Sequence, residues 1–246
     1  MSGKVALGYL HPGHLSTCFA ESLTDLLFHD AATHQRIVSH KHGKLGKECG
    51  SGGIVDGRNK LASVVLDESG ADWLCMIDSD MGFAPDTVDR LVEAAHAKER
   101  PIVGGLAFAH KTDGRSSHYG IRYRCQPTLY DFHEDAERIG FVPRFDYDRD
   151  TMNEVAATGA ACILIHRTAL EAIRAKFSDV WFDTIRHPKG VTFSEDLSFC
   201  IRAAACDLPM FVDTGVKTTH HKGGVYYDEA FYDRQQAARQ HEEVPA

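Results

Sequence analysis

Two rhythms of apolar and polar positions alternate along the first hundred residues. Val5-Ala6-Leu7-Gly8-Tyr9-Leu10 is a short apolar run that stops at His11-Pro12-Gly13, which predicts a strand and then a turn. Ser16 is placed to cap a helix reaching about Phe28, with Phe19, Leu23, Leu26 and Leu27 on one face. A second short strand is expected over 36–40, followed by a Gly- and Lys-rich loop over 41–57. Asp56 is positioned to cap the next helix, which turns Leu61, Val64 and Val65 to a core. The run Trp73-Leu74-Cys75-Met76-Ile77 predicts a strand over 72–78. Pro85 opens a helix in its first turn, and Pro101-Ile102-Val103-Gly104-Gly105 is a further strand. Strands alternating with helices predict an α/β chain with a mostly parallel central sheet and helices on both faces.

The pattern changes over 110–150, where Tyr119, Tyr123, Tyr130, Phe132, Phe141 and Phe145 are scattered among charges. Short strands or a long flap are expected there, because too few apolar residues are available for a separate core. Regular structure resumes where Thr158-Gly159-Ala160-Ala161 leads into the strand Cys162-Ile163-Leu164-Ile165. Ser194 is placed to cap a helix that begins Glu195-Asp196-Leu197. The strand Met210-Phe211-Val212-Asp213 precedes Thr218-Thr219-His220-His221-Lys222-Gly223-Gly224, and a polar, helical tail that ends disordered completes the chain. The expected division is one domain over 1–222, with 110–150 as an insertion or flap, and a tail over 223–246.

Composition narrows the class. The 246 residues are 43% hydrophobic and 25% charged, ordinary for a soluble globular protein, and no run is long enough to span a membrane. The N-terminus lacks a secretory signal pattern. Seven cysteines, odd in number and unclustered, read as buried thiols in a reducing cytoplasm. A net charge of -8 argues against a broad nucleic-acid footprint while leaving room for a local basic pocket. No Gly-x-x-x-x-Gly-Lys-Ser/Thr loop is present, Gly50-Ser51-Gly52-Gly53 does not complete a dinucleotide fingerprint, and no Gly-x-Ser-x-Gly elbow occurs.

The chemistry begins at Asp78-Ser79-Asp80, where the strand over 72–78 ends on two carboxylates one residue apart. Residues i and i+2 of an extended chain point the same way, so both acids face one side of a strand's C-terminal edge. Hard oxygen ligands there suit a divalent cation carrying phosphates, at the edge where α/β sheets bind ligands. Arg58 and Asn59 lie in the first turn of a helix, where free N–H groups favour anions. Arg58 can face a diphosphate or a base, with Asn59 fixing the loop geometry. Lys222 can hold a phosphate as a point charge.

The order Gly57-Arg58-Asn59, Asp78-Ser79-Asp80, Thr158-Gly159-Ala160-Ala161, Ser194-Glu195-Asp196-Leu197 and His220 resembles the GT-A glycosyltransferases, especially the family-2-like enzymes and their small phage and bacterial relatives. The resemblance implies a GT-A fold and a transferase of hexosyl type, moving sugar from a nucleotide-sugar donor, most simply UDP-linked, to an acceptor hydroxyl. It implies a metal at Asp80, with Asp78 as a second ligand or as a ribose partner, and His220 completing the protein's share. His221, next door, stays open as the alternative. Mixed carboxylate and imidazole ligation leans to Mn²⁺ over Mg²⁺. His11 and Pro12 would border the nucleoside, Thr158 and Gly159 the donor sugar or acceptor. Within Glu195-Asp196, Asp196 is the expected general base, although acids in a first helical turn are favoured by the dipole alone. Stereochemistry, oligomeric state and acceptor (protein, glycan, lipid or modified nucleic acid) stay open. The competing assignments are a sugar-nucleotide nucleotidyltransferase and a non-catalytic binding module on a degenerate scaffold.

Overall fold

The computed structural model describes residues 3–45, 53–117 and 120–242. In chain order the first elements are β1 (Val5–His11), α1 (Thr17–Ala32), β2 (Ile37–Lys44), α2 (Ile54–Val64), β3 (Trp73–Ile77), β4 (Met81–Phe83), α3 (Thr87–Ala94) and β5 (Ile102–Leu106). The middle holds β6 (Phe108–Ser117), β7 (Gly120–Pro127), β8 (Leu129–Glu134), β9 (Ile139–Pro143), β10 (Met152–Val155) and β11 (Ala157–Thr158). The chain then forms β12 (Cys162–His166), α4 (Arg167–Phe177), α5 (Glu195–Ala205), β13 (Met210–Lys222), β14 (Val225–Tyr227) and α6 (Glu229–Glu242).

The main sheet has the order β10-β13-β5-β12-β3-β1-β2, with β4 and β14 both pairing on the long strand β13. Strands β2, β1, β3, β5 and β13 run one way, while β12 is inserted antiparallel between β3 and β5 and β10 runs antiparallel to β13. The sheet is therefore mixed, with most of its strands in one direction.

Central strands covered on both sides need apolar residues at every position, which is why β3, β5 and β12 read as unbroken apolar runs. On one face Val5, Leu7, Cys75, Ile77, Val103 and Leu164 pack against Phe19, Leu23 and Leu26 of α1 and Val88 and Leu91 of α3. On the other, Ala6, Leu74, Met76, Ile102, Ile163 and Ile165 meet Leu61 and Ala62 of α2, Leu170 and Ile173 of α4, and Phe199 and Ala203 of α5. Helix α2 packs on β1 through Gly57 and Leu10. A Cβ on Gly57 would stand 2.6 Å from Leu10 Cδ1, so a larger residue there would require the Leu10 side chain to shift.

Several local expectations are corrected. Helix α2 starts at Ile54 behind Gly53, whose φ of 113° suits glycine, so Asp56 lies in the first turn and is not the cap, and Arg58 and Asn59, expected in that turn, lie beyond it and its free N–H groups. Strand β2 extends to Lys44, and the rest of the expected 41–57 loop, with Cys49, falls largely outside the described residues. Pro85 precedes Asp86, which occupies the N-cap position of α3 without a side-chain cap bond, and so sits just ahead of the helix. The polar segment over 110–150 is built from strands. Among the described residues β6 and β7 pair only with each other, and β8 pairs with both β9 and β11. The tail closes on this region. Tyr232 is 3% exposed against Phe108, and Glu229 accepts from Tyr147 Oη at 3.0 Å and pairs with Lys217 Nζ at 2.8 Å. The expected disordered end, 243–246, lies outside the described residues.

Leu164, 0% exposed in the central antiparallel strand, anchors the face covered by α1 and α3. Leu164→Ala should lower unfolding free energy by about 2–5 kcal/mol in urea titration, whereas a change under 1 kcal/mol would place this strand outside the core.

Candidate functional site

Strand β3 ends at Ile77, and the chain turns through Asp78-Ser79-Asp80 into β4. Asp78 N donates to Ala161 O at 2.9 Å and Met81 N to Asp78 O at 3.0 Å, which fixes the turn. The pairing of β4 with β13 then decides Asp80's neighbours. His220 lies opposite Met81, and His221 N donates to Asp80 O at 2.8 Å. Strand alternation sends the two imidazoles to opposite faces. His220 Nε2 lies 3.3 Å from Asp80 Oδ2, while the His221 ring stacks on Tyr226 at 4.6 Å and 13°. Of the two candidates, His220 is the one beside Asp80.

The Phe108 carbonyl can only accept, so His220 Nδ1, 2.9 Å away, carries the hydrogen and Nε2 is left facing Asp80. This is the second-partner arrangement that orients ligating histidines. Burial pushes the imidazole pKa down, but the hydrogen bond and charge of Asp80 outweigh it and the value ends raised. For Asp80 burial pushes up, and His220 and Lys222 override it, holding the carboxyl at about 2. Lys222 Nζ lies 3.1 Å from Asp80 Oδ2. Asp78 is drawn elsewhere. Its Oδ1 accepts from Arg58 Nη2 at 3.1 Å, and lost hydration raises its pKa despite that partner. Because 37% of the Asp78 side chain stays open to solvent, that upward push is smaller than in a sealed site.

Asp78, Asp80 and His220 thus do not close a three-donor cage, and among the described residues no group of three or more His, Cys, Asp or Glu is arranged to hold a metal ion. Asp80 and His220 alone fit a partial shell. One hard oxygen donor and one imidazole nitrogen share an edge, and an ion there would need phosphate and water oxygens for the rest. A cleft of about 450 Å³ opens at this edge, lined by Pro12, His14, Ser16, Asp80, His221 and Lys222 among others. A larger cavity of about 670 Å³ lies at the opposite strand ends, around Trp73, His96 and His166, away from these groups. His11 sits beside the cleft within a ring cluster, 5.7 Å from His42 and 6.2 Å from Tyr9. Burial, then the charges of His42 and Lys44, lowers its pKa.

Helix α5 brings the acid pair. Ser194 occupies the cap position, but its hydroxyl bonds Asp196 Oδ1 and no side-chain cap bond to the helix forms. Leu197 N also donates to Asp196 Oδ1, at 2.8 Å. The other oxygen, Oδ2, faces Gly159, where a Cβ would lie 3.6 Å from it and 3.4 Å from Thr128 Cγ2. Glu195 instead accepts from Arg58 Nη1 at 2.9 Å. Asn59 is committed to a loop: its Oδ1 accepts from Trp181 N and Phe182 N at 3.1 and 2.8 Å, and its Nδ2 donates to Asp183 at 2.6 Å. Arg58 and Asn59 are thereby brought to protein partners, apart from the cleft lining.

Two nearby groups carried no sequence signal. Tyr130 is pushed up to about 12, mainly by burial with the Asp196 charge adding, and its Oη accepts from Gln126 Nε2 at 3.4 Å. Burial lowers the His110 pKa, and the charges of His220 and Lys222 lower it further. Both lie in the polar middle segment, where alternation is too weak to show which side chains turn inward.

No protein-family model and no curated protein sequence matches this chain. Among solved structures it is similar to A197 from STIV, with a TM-score of 0.54 and 15% identity over 94% of this chain and 91% of that one. It is similar also to GalNAc-T7, solved with UDP, GalNAc and Mn²⁺, with a TM-score of 0.55 and 10% identity over 90% of this chain. The fold is that of the GT-A glycosyltransferases. The chain spans 44% of the GalNAc-T7 chain, and identities this low carry the fold alone. Among the described residues no helix is long and apolar enough to cross a membrane.

Asp80 gives a pH test. Its folded value of about 2 lies below the ordinary 3.8, so its stabilising effect is present above 3.8 and is lost as pH falls through about 2. Metal-free Asp80→Asn should be less stable than wild type at pH 7 by on the order of 2 kcal/mol. Denaturant titrations should show the gap closing as pH drops from 4 toward 2. A gap independent of pH would contradict the Asp80–His220–Lys222 arrangement.

Proposed function

We propose that this protein is a metal-dependent, family-2-like glycosyltransferase that moves a hexosyl group from a nucleotide sugar, UDP-linked, to an acceptor hydroxyl. The observation that carries this is the Asp80–His220 pair at the strand edge beside the cleft. It sits on a GT-A fold that also carries a carboxylate at the start of α5. GalNAc-T7, similar in fold, was solved with UDP, GalNAc and Mn²⁺, which supports the same donor chemistry here.

Asp80 Oδ2 and His220 Nε2 would hold the divalent cation, Mn²⁺ before Mg²⁺ for this mixed donor set. When bound, the ion supplies positive charge where the departing diphosphate gains negative charge. Lys222, half exposed beside Asp80, adds a mobile cation for the same oxygens. His11 and Pro12 border the nucleoside, and Asp78 is available to the ribose on its open side. Asp196 Oδ2, which faces Gly159, would take the sugar or acceptor side. The acceptor oxygen attacks the anomeric carbon, the bond from that carbon to the diphosphate oxygen breaks, and the acceptor's proton passes to Asp196. The hairpins within 110–150, which bring Tyr130 close to Asp196, form the acceptor side.

Thermal unfolding with UDP, GDP, CDP and dTDP, each with Mn²⁺ or EDTA, tests the donor class. UDP at a hundred times its Kd should add about 2.7 kcal/mol, only with metal, and Asp80→Ala should abolish the effect. Absence of any nucleotide shift in wild type would overturn the transferase assignment. Asp196→Asn should leave UDP–Mn²⁺ binding intact while lowering sugar transfer or donor hydrolysis about 10²–10⁴-fold.

A further inference from the structure

Arg58 is a buried charge that the transferase chemistry leaves without a role. Its side chain is 4% exposed, yet no neighbour in sequence accounts for its charge. Nη2 donates to Asp78 Oδ1 at 3.1 Å and Nη1 to Glu195 Oε1 at 2.9 Å, so the guanidinium bridges residues 20 and 137 positions away. The Phe182 ring lies 5.9 Å from its Cζ, and that ring stacks on Phe199 of α5 at 4.7 Å and 10°. The next residue, Asn59, pins Trp181, Phe182 and Asp183. Gly57, packed on Leu10, sets the helix that carries both close to β1.

We infer that Arg58 is a positioning residue, a buried strut that ties the β3 edge to the start of α5. Through Glu195 it fixes the orientation of Asp196, leaving Asp196 as the acid of the pair that faces substrate. The inference rests on the transferase assignment and divides the labour within its acid pair. A guanidinium sealed from water, with both terminal nitrogens on carboxylates, is not open to a diphosphate. Removing it would leave Asp78 and Glu195 without their shared cation. Glu195, spent on Arg58, is likewise not free to take a proton from an acceptor. What the strut controls is distance. The donor edge at Asp78–Asp80 and the base at Asp196 stand on separate elements, and an error near 1 Å between them costs on the order of 10²-fold in rate.

Two measurements test this, and the first does not depend on the activity. Urea unfolding of Arg58→Lys, Glu195→Gln and the double variant forms a mutant cycle. The strut predicts that the double variant loses clearly less than the two single losses combined, whereas additive losses overturn it. The second compares UDP–Mn²⁺ affinity by calorimetry with hydrolysis of UDP-glucose, UDP-galactose and UDP-GalNAc. For Glu195→Gln and Arg58→Lys the Kd should change less than about threefold while kcat falls about 10–100-fold, with Arg58→Met falling further than Arg58→Lys. A tenfold weaker Kd at unchanged kcat would make Arg58 a nucleotide ligand and overturn the proposal. If Arg58→Met fails to fold, the two conservative variants still decide. A wild type that neither binds UDP nor hydrolyses any donor overturns the transferase assignment and the catalytic half of this one, while the mutant cycle still decides whether the strut exists.

Discussion

A guanidinium taken out of water must bring its anions with it, and Arg58 brings Asp78 and Glu195. That requirement joins three elements remote in sequence: α2, the end of β3 and the first turn of α5. The packing of α2 on β1 at Gly57 puts Arg58 within reach, and Asn59 beside it fastens the loop that leads toward α5. Once these are joined, Asp80 looks into the cleft on one side, and on the other Asp196 holds one oxygen on its own turn and offers the second past Gly159. The polar constellation is therefore set by packing and by a buried charge, more than by the acids themselves.

The second constraint is register. Strand β13 is long enough to serve the main sheet with Met210–Asp213 and then to pair with β4 and β14 near its end. That extension lays His220 against the residue after Asp80. The tail continues the same logic, because β14 and α6 fold back so that Tyr227 and Tyr232 are buried over the β6–β7 hairpin. Tail and middle segment thus pack on each other beside the His220 edge, with His110 and Tyr227 rings 5.0 Å apart.

Much of the fold was legible from periodicity, and its limits follow from what periodicity carries. Buried strands such as β3, β5 and β12 announce themselves as apolar runs, and α1 shows its stripe of Phe19, Leu23 and Leu26. Direction is not encoded in such runs, so the antiparallel entry of β12 could not be read. Capping signals compete locally: Asp56 has the chemistry of a cap, but Gly53 supplies the turn the backbone uses. The acids Asp78, Asp80, Glu195 and Asp196 stand out because they end apolar runs or open a helix. Their partners do not, since the Arg58–Glu195 pairing spans 137 residues and only tertiary packing creates it. Which of His220 and His221 lies beside Asp80 likewise needed the β4–β13 register. Tyr130 and His110 stayed hidden in strands too polar and short to show an inner face.

The central claim is that the Asp80–His220 edge holds a divalent cation together with a nucleoside diphosphate. Electron paramagnetic resonance of Mn²⁺ tests it most directly, because the sharp six-line signal of the free hydrated ion is lost on binding. With wild-type protein and UDP together, the free-ion signal should fall well below its level with either alone. It should return to the UDP-only level in His220→Ala. A free-ion signal that protein leaves unchanged in the presence of UDP, or that falls equally in His220→Ala, would contradict the account.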